Sequence, residues 1–74
     1  MLKERNYTIE TEREDDGRWI AEIVELPGVL AYGSNVEETQ AKAEALAFRV
    51  LAEEIEKGQE TGSISFSKIA FSRA

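Results

Sequence analysis

Seventy-four residues leave room for one folding unit, and a chain this short buries only roughly 60% of its unfolded surface, so its core is small. The absence of Cys and His excludes a disulfide framework, a thiolate or imidazole metal site, and any Ser-His or Cys-His catalytic pair within the chain. Nine Lys and Arg stand against fifteen Asp and Glu, and the resulting formal charge of −6 opposes direct binding to a phosphate backbone and suits a basic protein partner.

The first six residues contain no apolar h-region. The longest apolar-rich run, Ala41 to Ala52, is broken by Lys42, Glu44 and Arg49. Neither targeting nor membrane insertion is expected, and a cytoplasmic location follows by default.

Tyr7, Ile9 and Thr11 alternate with Thr8, Glu10 and Glu12, which predicts a half-buried strand over 6–14. Asp15-Asp16-Gly17 then supplies turn chemistry, and Asp-Gly before a hydrophobic run is a strong hairpin signal. The return strand is predicted over 18–25. A two-residue turn places Ile9 opposite Val24, whereas a three-residue turn places Ile9 opposite Ile23 and Glu10 opposite Glu22. The second register is preferred, because it gathers Tyr7, Ile9, Trp19, Ala21 and Ile23 on one face. Its consequence is a repulsive Glu10–Glu22 pair on the other face.

Leu26-Pro27-Gly28 breaks that strand, with Pro27 and Gly28 fitting the central positions of a type II turn. A short third strand follows over 29–33, ended by Gly33. Ser34 with Glu37 fits a capping box at the start of a helix over 36–57, with Gly58 as its natural stop and 59–62 as a polar loop. At about 100° per residue, Val36, Ala43, Leu46, Ala47, Val50 and Leu51 form one apolar face. Ala41, Ala45, Phe48, Ala52 and Ile55 form a second, which implies either a wrapped core or a subunit contact.

The last strand is predicted over 63–71. Ile64 and Phe66 share one parity and Ile69 and Phe71 the other, so Ser67-Lys68 marks a bulge, a bend or a strand apolar on both faces. The fold class is therefore α+β in β-β-β-α-β order. It is an antiparallel three-stranded meander with a crossover helix and a fourth strand parallel to the first, in a single domain spanning 1–74. One sheet face is left uncovered. Apolar side chains on a terminal strand of so small a unit also point to self-association, with Phe66, Ile69 and Phe71 as the interface, joined by Phe48 and Ile55, in a homodimer or higher oligomer. Packing of Ile69 and Phe71 under their own helix is the alternative.

Catalysis finds little support. Glu10, Glu12, Glu14, Asp15, Asp16, Glu22 and Glu25 crowd the hairpin, but no Asp lies within a strand, and a two-metal site needs carboxylates converging from several elements. None of the five glycines forms a phosphate-binding motif. No enzyme activity, cofactor, metal or membrane contact is expected, nor any nucleic-acid binding by this chain alone.

From Tyr7 onward the chain resembles the HicB-like antitoxin family. The resemblance is carried by Tyr7-Thr8-Ile9-Glu10, Asp16-Gly17-Arg18-Trp19-Ile20-Ala21-Glu22-Ile23, Glu25-Leu26-Pro27-Gly28-Val29, Gly33-Ser34-Asn35 and the acidic helix start Glu37-Glu38. It covers nearly the whole chain. It implies a partial ribonuclease-H-like fold without the nuclease's catalytic acids. It also implies that the protein binds and neutralises a HicA-type toxin, a small basic mRNA-cleaving enzyme, by masking its RNA-binding surface and catalytic site. Glu10, Glu12, Glu22 and Glu25 are the candidate partner-binding residues. Many full-length members carry a further DNA-binding domain, and none is expected in this chain. The competing expectation is an oligomeric scaffold of the same fold with no toxin partner.

Overall fold

The computed structural model describes residues 2–61 and 65–74, with side chains described for 4–58 and 68–74. Five elements follow in order: β1 (Leu2–Arg13), β2 (Trp19–Ile23), β3 (Leu30–Gly33), α1 (Val36–Thr61) and β4 (Ser65–Arg73). The four strands form one sheet in the order β3-β2-β1-β4, antiparallel from β1 to β3 and parallel between β1 and β4. This is the meander, crossover helix and parallel fourth strand that the sequence predicts.

The β1–β2 hairpin adopts the three-residue turn. Ile9 pairs with Ile23, Glu10 with Glu22, Thr11 with Ala21 and Arg13 with Trp19. The Gly17 amide donates to the Glu14 carbonyl at 3.0 Å, and the Glu14 amide donates to the Arg18 carbonyl at 2.7 Å. Gly17 has φ +92°, a left-handed conformation that glycine adopts without a Cβ clash. Asp16 completes the turn, its carboxylate accepting from the Arg18 amide at 3.1 Å and from its guanidinium at 2.7 Å. These hydrogen bonds, the backbone one first, lower the Asp16 pKa.

Leu26-Pro27-Gly28-Val29 forms the expected turn. The Val29 amide donates to the Leu26 carbonyl at 3.0 Å, with Gly28 at φ +87°. Strand boundaries differ from the expectation by a few residues. β2 closes at Ile23 because the chain turns as soon as the Leu26 amide donates back to the Ile23 carbonyl. β1 begins at Leu2 rather than near Asn6, because its first half pairs with β4, a partner 63 residues away at Leu2↔Ser65 that local patterning does not reveal.

β4 runs Ser65–Arg73, two residues beyond the predicted end, because Ser72 and Arg73 keep pairing with Thr8 and Ile9. The predicted start at residues 63–64 lies outside the described residues. Lys3 pairs with Phe66 but Glu4 with Lys68, so Ser67 is the extra residue of a bulge. The parity break is thereby resolved: Ile69 and Phe71 pair with Arg5 and Tyr7 and pack against the core.

Gly33 ends the third strand as expected, and the structure shows why a glycine stands there. It is the last residue of β3, paired with Trp19, and does not have a positive φ. It is there because the helix passes close by: a Cβ at Gly33 would collide with the Thr39 hydroxyl and come within 3.2 Å of the Thr39 Cα and amide nitrogen.

The helix cap is also shifted. Asn35, not Ser34, is the N-cap, its side-chain oxygen accepting from the Glu38 amide at 2.8 Å while its carbonyl accepts from Thr39 at 3.1 Å. The acid three residues on is accordingly Glu38 rather than Glu37. Ser34 donates its hydroxyl to Glu38 at 2.7 Å, and Lys42 pairs with the same carboxylate at 2.9 Å. The Lys42 contact, then that of Ser34, pulls the Glu38 pKa down to about 2. At the other end Gly58 does not stop the helix. It lies buried within α1, without the left-handed φ of a C-cap, and the predicted loop at 59–61 is its last turn.

The core lies between α1 and one sheet face: Tyr7, Ile9, Ala21, Ile23 and Val29 meet Ala43, Ala47 and Leu51. Ile9, Ile23 and Leu51 are the largest fully buried apolar side chains, each contributing roughly 1.5–3 kcal/mol by burial. Val36, Leu46 and Val50 are half-buried beside them, so the first helix face is the one that packs.

Candidate functional site

α1 covers one face of the sheet and leaves the other open. Side chains alternate along a strand, so with Tyr7, Ile9, Ala21 and Ile23 in the core, Glu10, Glu12, Ile20 and Glu22 stand on the open face. Glu10, Glu12 and Glu22 are exposed. Glu10 lies directly across from Glu22, and Glu12 directly across from Ile20. Together with Thr11 these residues line an open depression of roughly 410 Å³.

One flank of this depression is aromatic and cationic. Tyr32 pairs with Ile20 across β2–β3, and the Arg18 guanidinium sits 4.5 Å from the Tyr32 ring centroid. Arg18 is held in place by Asp16. Leu30, the cross-strand partner of Glu22, extends the apolar floor on that side. The open face is thus an apolar strip of Ile20, Leu30 and Tyr32 running beside three carboxylates. Such a surface fits a cationic partner whose side chains have apolar stems.

Three of the four predicted partner residues, Glu10, Glu12 and Glu22, meet on this face. Glu25 is exposed as well but does not line the depression. Its carboxylate accepts from the Thr8 amide at 2.7 Å and from the Thr8 hydroxyl at 2.8 Å, while the Thr8 carbonyl accepts from the Val24 amide at 3.0 Å. As β2 turns away from β1, Glu25 takes the place of the missing main-chain acceptor. The Thr8 amide, more than its hydroxyl, holds the Glu25 pKa below the usual carboxylate range.

The predicted self-association residues fall into separate groups. Phe71 lies between Tyr7 and Phe48, with ring centroids 5.7 Å and 5.5 Å away, and Ile69 packs beside the same core. Phe48 is 49% exposed, and Ile55 is half-buried. The side chain of Phe66 lies outside the described residues.

Sequence reasoning missed a polar network at the core rim. Gln40 donates to the Thr11 hydroxyl at 2.9 Å and accepts from the Arg73 Nε at 2.9 Å, and Arg73 pairs with Glu44 at 3.0 Å. It ties β1, α1 and β4 together over sequence separations of about thirty residues, which leave no local signature. Among the described residues no group of three or more acidic side chains is arranged to hold a metal ion, and no helix is long and apolar enough to cross a membrane.

Compared with known proteins, the chain matches no family model, no curated protein and no solved structure.

Proposed function

We propose that this protein is an antitoxin-type binding module with a partial ribonuclease-H-like fold, of the kind its HicB-like sequence features imply. Its partner is a small basic HicA-type ribonuclease, which it neutralises in the cytoplasm by covering the RNA-binding surface and catalytic site. The observation that carries this reading is the open sheet face, where Glu10, Glu12 and Glu22 converge beside Ile20. A surface evolved only for solubility has no need to set two glutamates directly across a ladder, where like charges repel. A partner's Lys or Arg placed between them removes that repulsion, and the apolar strip beside them supplies contact area. The module itself performs no chemistry in this scheme. A scaffold role without a toxin is the second reading, favoured by the exposure of Phe48.

Tagged protein purified from its source cell at low and then at high salt tests the proposal. The expected result is a small basic protein that co-elutes at low salt and whose ribonuclease activity the tagged protein suppresses. Recovery of a homo-oligomer alone at both salt concentrations overturns it.

A further inference from the structure

The outward face of α1 carries apolar side chains at Ala41, Ala45, Phe48, Ala52 and Ile55. Their spacing alternates four and three residues, the seam of a two-heptad helix pair, and it lies away from the core face of Ala43, Ala47 and Leu51. Ala41, Ala45, Phe48 and Ala52 are exposed. The Phe48 ring is held edge-on by Phe71, so the largest member of the seam is already oriented in the monomer.

We infer that α1 pairs antiparallel with α1 of a second copy about a two-fold axis close to Arg49. Two features of the seam select this occupant. The first is size. In the antiparallel register that sets Phe48 against the partner's Ala52, Ala45 meets the partner's Ile55, so Phe48 and Ile55 each face an alanine. The second is charge. The flanking positions Lys42 and Glu56 lie symmetrically about Arg49, and the register brings each Lys42, which also pairs with Glu38 one turn earlier in its own helix, beside the partner's Glu56. Arg49 alone meets its own copy, near the axis.

The competing route, pairing of two β4 edges, lacks this complementarity. β4 contains Lys68 and Arg73 and no acid, so two such edges bring like charges together. The helix pair leaves the open sheet face free, and it holds whether or not a toxin exists.

Sedimentation velocity between about 10 µM and about 500 µM is the test. A dimer is expected. Ala45→Glu and Ala52→Glu each raise its dissociation constant at least about tenfold while circular dichroism shows an unchanged helix. Lys42→Glu weakens the dimer, Lys42→Glu combined with Glu56→Lys restores it, and Arg49→Gln tightens it. A monomer throughout the range overturns the inference. So does a dimer indifferent to the seam and charge-swap variants, or one dissociated only by Ser72→Pro on the β4 edge.

Discussion

Glu10 and Glu22 face each other across the β1–β2 ladder on the sheet side that α1 leaves uncovered, both exposed and of like charge. This arrangement sets stability against binding. Glu10→Gln removes the repulsion and is expected to stabilise the fold by about 0.2–1 kcal/mol, with a larger gain for Glu10→Lys. Thermal unfolding reads this directly. Added salt should raise the wild-type melting temperature more than that of Glu10→Gln, because screening relieves what the mutation has already removed. A lower melting temperature for Glu10→Gln contradicts the assignment.

Glu25 and Glu38 predict an acid-sensitive fold. Both have pKa values depressed in the folded state, Glu25 by the Thr8 amide and Glu38 by Lys42 and Ser34. A depressed carboxyl contributes stability above its unfolded pKa and loses it as pH falls toward the folded value. For Glu38 that window runs from its ordinary 4.5 down to about 2. The melting temperature should fall through this range, and Glu25→Gln and Glu38→Gln should each flatten the fall. Identical acid profiles in wild type and both variants would remove the two contacts from the account.

The helix cap discriminates between adjacent residues. Asn35→Ala is expected to cost about 1 kcal/mol, since it leaves the Glu38 amide without its acceptor. Ser34→Ala loses only an exposed side-chain contact to Glu38 and should cost clearly less. Urea unfolding of the two variants checks the order, and the reverse order places the cap back at Ser34.

Gly33 and Thr39 form a close crossing of helix and sheet. Gly33→Ala forces a methyl group onto the Thr39 hydroxyl and backbone, and a destabilisation of about 1–3 kcal/mol is expected. Because the Thr39 main chain is also close, Thr39→Ala should rescue Gly33→Ala only in part. A Gly33→Ala variant as stable as wild type in urea would show that the crossing is loose.

The legible parts of this fold are those encoded by neighbours in sequence. Asp15-Asp16-Gly17 leaves two hairpin registers open, and the alternation around Ile9 and Ile23 favours the one observed, with its Glu10–Glu22 pair. The parity break at Ser67 marks the β4 bulge. What local patterning leaves open is chosen by distant partners. Ser34 and Asn35 are both good caps, and the position of α1 over Gly33 and Thr39 selects the second. Gly58 ends a helix when its φ is left-handed, but here it stays buried inside α1. Glu25 looks like one more surface acid of the hairpin, yet Thr8, seventeen residues earlier, takes its carboxylate. The Thr11–Gln40–Arg73–Glu44 network is invisible for the same reason. Three of the four candidate partner acids were therefore legible as a surface, because they follow from register alone.

The most direct test of the proposed binding face compares two variants of equal charge change on opposite sides of the molecule. Glu22→Lys alters the open sheet face, and Glu53→Lys alters the exposed side of α1, where Glu53 pairs with Lys57 at 3.3 Å. Calorimetric titration with the co-purified basic partner should show Glu22→Lys losing affinity at least about tenfold while Glu53→Lys stays close to wild type. Equal losses in the two variants would mean that net charge alone draws the partner, and no loss in Glu22→Lys would mean that the partner binds elsewhere; either result contradicts the assignment of the open face.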